Sequence, residues 1–285
     1  DGETTISSGS TVEVGKIKRL TVTDRFAVPL GETNNRDAAP EAGTTRFNQD
    51  FGTLEFFDGN NWKTVNSYAR YGAAGRGIVA GGRTPTPSST ELNNIDYITI
   101  PTTGNAIDFG DLSANRNQAA GSGSETRGLF SGGWDGTSRL DTIEYITIAS
   151  SGNAIDFGNL TQGRSHPGSC SSSTRSIVGA GFGPNYRNEI DYVEIATIGN
   201  SLDFGDTTVA RDELTGLSSP TRGIFAGGST PTRQSVIEFV SFATLGDATK
   251  WAELSHTGRQ LNAGCESGTR GIIGGGYAGP NPNNT

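Results

Sequence analysis

The stretch Thr126–Gly133, TRGLFSGG, decides how this chain is read, because it recurs. Arg76 opens RGIVAGG, Arg175 opens RSIVGAG, Arg222 opens RGIFAGG and Arg270 opens RGIIGGG; these arginines and Arg127 stand 51, 48, 47 and 48 residues apart. A fixed period of this length is the mark of a repeat architecture. Working outward, one repeat from Arg116 reads R-NQAAGSGSET-RGLFSGG-WDGTSRLD-TIEYITI-ASSG-NAIDFGNL. It predicts four short strands: a Gly/Ala/Ser-rich first strand over 119–124, a second over 128–131 closed by Gly132 and Gly133, a third over 143–148 and a fourth over 154–157. The third strand carries apolar groups at both alternations, Ile143 and Tyr145 against Ile146 and Ile148, so it is expected to be covered on both faces.

Four short strands per repeat is the pattern of a β-propeller blade. Small residues on the first strand suit the crowded axis, and aromatics on the third and fourth suit the roomier rim. The repeats also resemble kelch repeats: Gly132-Gly133, Tyr145, Phe157, Arg164; Gly81-Gly82, Tyr97, Phe109, Arg116; Gly179 and Gly181, Tyr192, Phe204, Arg211; Gly227-Gly228, Phe239, Trp251, Arg259. They depart from that family in the fixed spacing of 12 between the two aromatics.

Residues 1–50 lie outside the repeat. Ser10–Leu30 reads as two short strands, followed by a polar connector, and is expected to be stabilised by partner chains or by a neighbour. Val28-Pro29, Gly31, Arg36, Pro40, Gly43, Arg46-Phe47-Asn48, Leu54-Glu55, Asp58-Gly59 and Trp62 follow in an order that resembles the N-terminal or linker module of bacteriophage tail fibres and related virion proteins. Asp58-Gly59 between apolar runs is a hairpin signal. The fifth copy of the repeat supplies only a first and second strand. Leu54–Val65 is therefore expected to give the third and fourth strands of that blade and close the ring; the competing expectation is that this hairpin belongs to the fibre-like stalk and that further repeats follow the fifth copy.

The fold expected is all-β: a kelch-like β-propeller of about five four-stranded blades over 51–285, its last blade closed by N-terminal strands, preceded by a short extended β segment over 1–50.

Composition excludes several classes. Glycine is abundant, at 42 of 285 residues, without a Gly-X-Y period, which excludes collagen. A net charge of −8 with scattered basic residues lacks the footprint of nucleic-acid binding. No apolar run approaches the ~20 residues that cross a bilayer, and no signal peptide is visible. The chain starts at Asp1 and contains no Met, as expected of a processed or partial product. Cys170 and Cys265 occupy one repeat position two repeats apart, too far for a disulfide, and are read as small buried thiols.

The repeated arginines are read as holding blades together, for instance by pairing with Asp108, Asp156 and Asp203 of the fourth strands. The Gly-Gly pairs match neither phosphate-binding spacing. His166 and His256 fall in different repeats with no Cys or carboxylate at ligand spacing, so no metal is expected. No nucleophile motif and no cofactor motif stands out. The singular residues lie in the loops after Gly-Gly: Arg83, Trp134, Asp135, Tyr186, Arg187, Arg233 and Tyr277 are the candidate ligand-binding set, since loops on rigid scaffolds carry function.

The resemblance implies a non-enzymatic virion structural protein, a tail fibre or appendage, homotrimeric, bound to other virion proteins and attaching to a host-surface glycan, with no membrane insertion. A bacterial extracellular adhesin or fibre component and a carbohydrate-active enzyme on a propeller are the alternatives.

Overall fold

A computed structural model describes residues 28–50, 53–64, 75–85, 89–100, 102–255, 258–267 and 270–278. The expected strands over Ser10–Leu30 fall almost wholly outside these residues, as do Arg70 and His256. The protein is all-β, built of small sheets that are antiparallel apart from one parallel pair in the first, and no helix among the described residues is long and apolar enough to cross a membrane. The chain divides into two compact units, Asp1–Tyr68 and Ala69–Thr285.

In the first unit, β1 (Leu30–Gly31), β2 (Thr45–Asn48), β3 (Thr53–Phe57) and β4 (Trp62–Thr64) form one sheet in that order. Its centre is the fully buried Glu55. Arg36 donates to both its oxygens, at 3.1 and 2.6 Å, and Asn48 Nδ2 donates at 3.0 Å. Arg46 Nε lies 3.4 Å away. Trp62 packs on Phe57 at 5.7 Å with the Arg36 guanidinium over its ring. Arg36, Arg46, Asn48, Glu55 and Trp62, among the positions that carry the fibre resemblance, therefore belong to one network. A buried carboxylate is tolerated because its partners are fixed around it, Arg46 and Asn48 on β2 and Arg36 in the connector between β1 and β2.

This pairing corrects the expectation that Leu54–Val65 completes the last repeat. β3 uses both its edges, on β2 and β4, so no edge is left for another strand. The aromatic–turn–Trp pattern of a blade's outer hairpin is shared by any half-covered hairpin, which is why the sequence misassigned it.

The second unit follows the repeat. β5 (Arg76–Ala80), β6 (Asn94–Thr99) and β7 (Ile107–Asp111) form the first sheet. The next comprises β8 (Ala120–Gly123), β9 (Arg127–Ser131), β10 (Thr142–Thr147) and β11 (Ile155–Asn159). A third comprises β12 (Gly168–Ser171), β13 (Arg175–Gly179), β14 (Glu189–Glu194) and β15 (Leu202–Asp206). In the fourth, β16 (Thr215–Ser218) and β17 (Arg222–Ala226) precede a small hairpin, β18 (Ser229–Thr230) and β19 (Thr232–Arg233), and then β20 (Val236–Ser241) and β21 (Thr249–Glu253). Among the described residues β22 (Ala263–Glu266) and β23 (Gly271–Gly274) pair alone.

The core lies between successive sheets. Phe130 and Ile146 pack on Ile95, Phe109 and Leu112 of the preceding sheet. Leu129, Ile143, Tyr145 and Phe157, on the opposite face, pack on Val178, Val193 and Ile195 of the following one. Third strands with apolar residues on both faces are thus explained, and each fully buried Phe contributes roughly 1.5–3 kcal/mol. First strands sit against each other, β8 on β12, β12 on β16 and β16 on β22. Their small residues are required there: a Cβ on Gly216 would overlap the Ser169 carbonyl. Ser171 Oγ donates to the Gly123 carbonyl at 2.7 Å and Ser169 Oγ to that of Gly121 at 2.7 Å. Cys170 is buried in this packing, whereas Cys265, on a sheet of two strands, is exposed, so the expectation of two buried thiols holds for Cys170 alone.

Two arginines per repeat join neighbours. Arg76, Arg127 and Arg175 each lie over the third-strand tyrosine of their own sheet and donate to a carbonyl of the next, those of Ile148, Ile195 and Phe242 at 2.6, 2.7 and 2.7 Å. Arg116, Arg164 and Arg211 are fully buried and pair with Glu144, Asp191 and Glu238 of the third strands. The fourth-strand aspartates expected as partners, Asp108, Asp156 and Asp203, are exposed. A register shift beside each third-strand acid, between Ile143 and Glu144 for example, disturbs simple alternation there.

Candidate functional site: an aromatic and arginine cleft

The loops leading into each first strand share one geometry. In Arg116-Asn117-Gln118, Arg164-Ser165-His166, Arg211-Asp212-Glu213 and Arg259-Gln260-Leu261, the residue after the arginine bridges to the residue following Gly-Gly, or Ala180-Gly181 in one copy: Asn117 to Trp134, Ser165 to Phe182, Asp212 to Ser229 and Gln260 to Tyr277. The last residue of each triplet is left-handed, with φ of 58, 52, 54 and 55°. That turn aims its N–H at the preceding copy: His166 donates to the Gln118 carbonyl at 2.9 Å, Glu213 to His166 at 3.1 Å and Leu261 to Glu213 at 3.0 Å. A strained conformation kept at equivalent positions is held by these bonds. Side chains from successive repeats are thereby brought next to one another.

On the same face the Gly-Gly loops add aromatic and cationic groups. Gly132 and Gly133 have φ of 68 and 109°, and a Cβ on either would meet a backbone carbonyl, of Arg164 or Asn117, so the turn requires glycine. Arg139 places its guanidinium over Trp134 of its own loop and Phe182 of the next, 5.2 and 4.6 Å from the ring centres. Phe182 and Tyr186 meet edge to face at 5.2 Å. Trp134, Arg139, Phe182, Tyr186, His166 and Asp212 line an open cleft of about 400 Å³.

Charge in the cleft is finely balanced. Burial, and then the Arg139 charge, push His166 down, favouring neutral imidazole. Burial and the neighbouring Glu213 charge raise Asp212 to about 6. Glu213 is raised by burial, against the pull of Arg233.

The candidate loop residues are placed differently from one another. Trp134 and Tyr186 line the cleft. Asp135 accepts from Ser138 and Thr137 N–H at 2.6 and 2.7 Å, which holds its carboxyl below the usual range and fixes the loop. Arg187 pairs with Glu189 at 3.2 Å, and Arg83 lies 3.6 Å from Glu91. Arg233 stacks on Tyr277 at 4.1 Å. Arg139, Phe182 and Asp212 join the site without having been singled out, and His166, weighed above only as a metal ligand, lines it too. Their signal in the sequence is their alignment within the repeat: Trp134 and Phe182 are equivalent, as are His166 and Glu213.

Flat aromatic faces, a stacked guanidinium and hydrogen-bonding groups in a shallow cleft suit a polar, ring-shaped ligand. Comparison with known proteins finds no matching family model and no similar curated protein.

Proposed function

We propose that the chain is a non-enzymatic bacteriophage virion protein, a tail fibre or similar appendage, whose cleft attaches to a host-surface glycan. Residues 69–285 are read as kelch-like propeller blades. The stepwise packing of successive sheets and the contact between their small first strands support this arrangement. The virion assignment rests on the N-terminal motif and its Glu55-centred network, and fold alone would not supply it. Trimerisation would multiply weak single-site binding into avidity.

The observation that carries the binding role is Arg139 stacked between Trp134 and Phe182 beside Tyr186. The rings offer faces to sugar rings, and the guanidinium suits glycans that carry carboxylates.

A glycan array probed with the intact protein tests this reading. Wild-type protein is expected to bind acidic glycans, and Trp134→Ala and Tyr186→Ala to lose at least about tenfold in affinity, roughly 1.4 kcal/mol. Binding that is absent from the array, or unchanged in both variants, overturns it. Reducing ends released from bound polysaccharide would overturn the non-enzymatic part.

A further inference from the structure

We propose that His166, Asp212 and Glu213 form a site for one divalent transition-metal ion. Their ligand atoms all lie within 4.8 Å of one another, and His166 Nε2 already approaches Glu213 Oε1 to 3.9 Å. Metal–ligand bonds of about 2.0–2.2 Å bring donors to roughly 3–4 Å apart, so small side-chain rotations close the set. One imidazole nitrogen and carboxylate oxygens suit zinc or manganese. Two carboxylates carry the charge that a dication balances. Arg139 and Arg233 are the cations nearest this group.

An independent observation points the same way. Asn262 lines a second cavity, of about 240 Å³, together with His166 and Glu213. It is 9% exposed, and neither its Oδ1 nor its Nδ2 has a hydrogen-bond partner among the described residues. A buried amide without partners leaves this cavity, which His166 and Glu213 also line, suited to a polar occupant. The backbone is already set, since Glu213 N–H donates to the His166 carbonyl. The trio is also a departure from the repeat: equivalent positions elsewhere carry Asn117-Gln118 and Gln260-Leu261.

The test is calorimetric titration of the chelator-stripped full chain with zinc chloride and, separately, manganese chloride, without any glycan. One ion per chain is expected for at least one of them. His166→Ala and Glu213→Gln should each weaken that binding at least about tenfold, while Asp108→Asn, at an exposed fourth-strand position, leaves it unchanged. Melting curves without metal establish that Glu213→Gln folds, and added metal should raise the melting temperature of wild type and not of this variant. No saturable one-ion binding by wild type, or undiminished binding in Glu213→Gln, overturns the site. Because no glycan is present, the result is separate from that of the attachment reading.

Discussion

Arg211 and Glu238 are both fully buried and joined, and the guanidinium Nε also donates to the Gly227 carbonyl at 2.8 Å. Glu238 in turn accepts from Thr208 N–H at 2.8 Å, so one ion pair ties a loop to a third strand. Removing one charge from such a pair strands the other in a medium that cannot solvate it. Arg211→Met is therefore expected to destabilise the protein by about 3–5 kcal/mol, read by denaturant unfolding. A loss below about 1 kcal/mol would mean that the pair holds nothing. The sequence shows that these arginines are structural, because each recurs. It does not show their partners. Asp156 and Glu144 look equally available on paper, and only the irregular register beside Glu144 separates the exposed acid from the buried one.

At the scale of elements, the outer strands β7, β11 and β15 are each covered by the next repeat, whereas β21 is exposed. Gly199 N–H donates to the Phe157 carbonyl and Ser201 N–H to that of Asn159, both at 2.8 Å, while Asn200 Oδ1 accepts from Asn159 N–H at 3.0 Å. Gly152-Asn153 and Gly246-Asp247 do the same for β7 and β15. This satisfies an edge that would otherwise invite wrong pairing. The approach leaves no room for a side chain: a Cβ on Gly158 would meet the Gly199 backbone, and its φ is +144°. Gly158→Val is expected to cost about 3 kcal/mol or more, measured as a lowered unfolding midpoint; a cost under about 0.5 kcal/mol would deny the contact. Strand existence was legible because apolar residues cluster at a fixed period. The clasp was not, since each Gly-Asn or Gly-Asp pair acts on a strand one repeat earlier and reads locally as an ordinary turn.

At the scale of the molecule, the repeated unit was legible and its completion was not. Among the described residues the fifth copy has two strands, and the hairpin expected to finish it is committed to the N-terminal sheet. The cleft was half legible. Trp134 and Tyr186 stand out because they break the repeat, whereas Arg139, Phe182, His166 and Asp212 acquire meaning only when neighbouring repeats are set side by side. The central claim is that the face bearing the Gly-Gly loops is the one that binds. Hydrogen–deuterium exchange of the intact protein, with and without an acidic glycan selected from the array, tests it most directly. Slowed exchange is predicted in the loops 132–141 and 180–188 and around 165–166. Slowed exchange confined to the opposite turns, 124–126, 172–174 and 219–221, would contradict it.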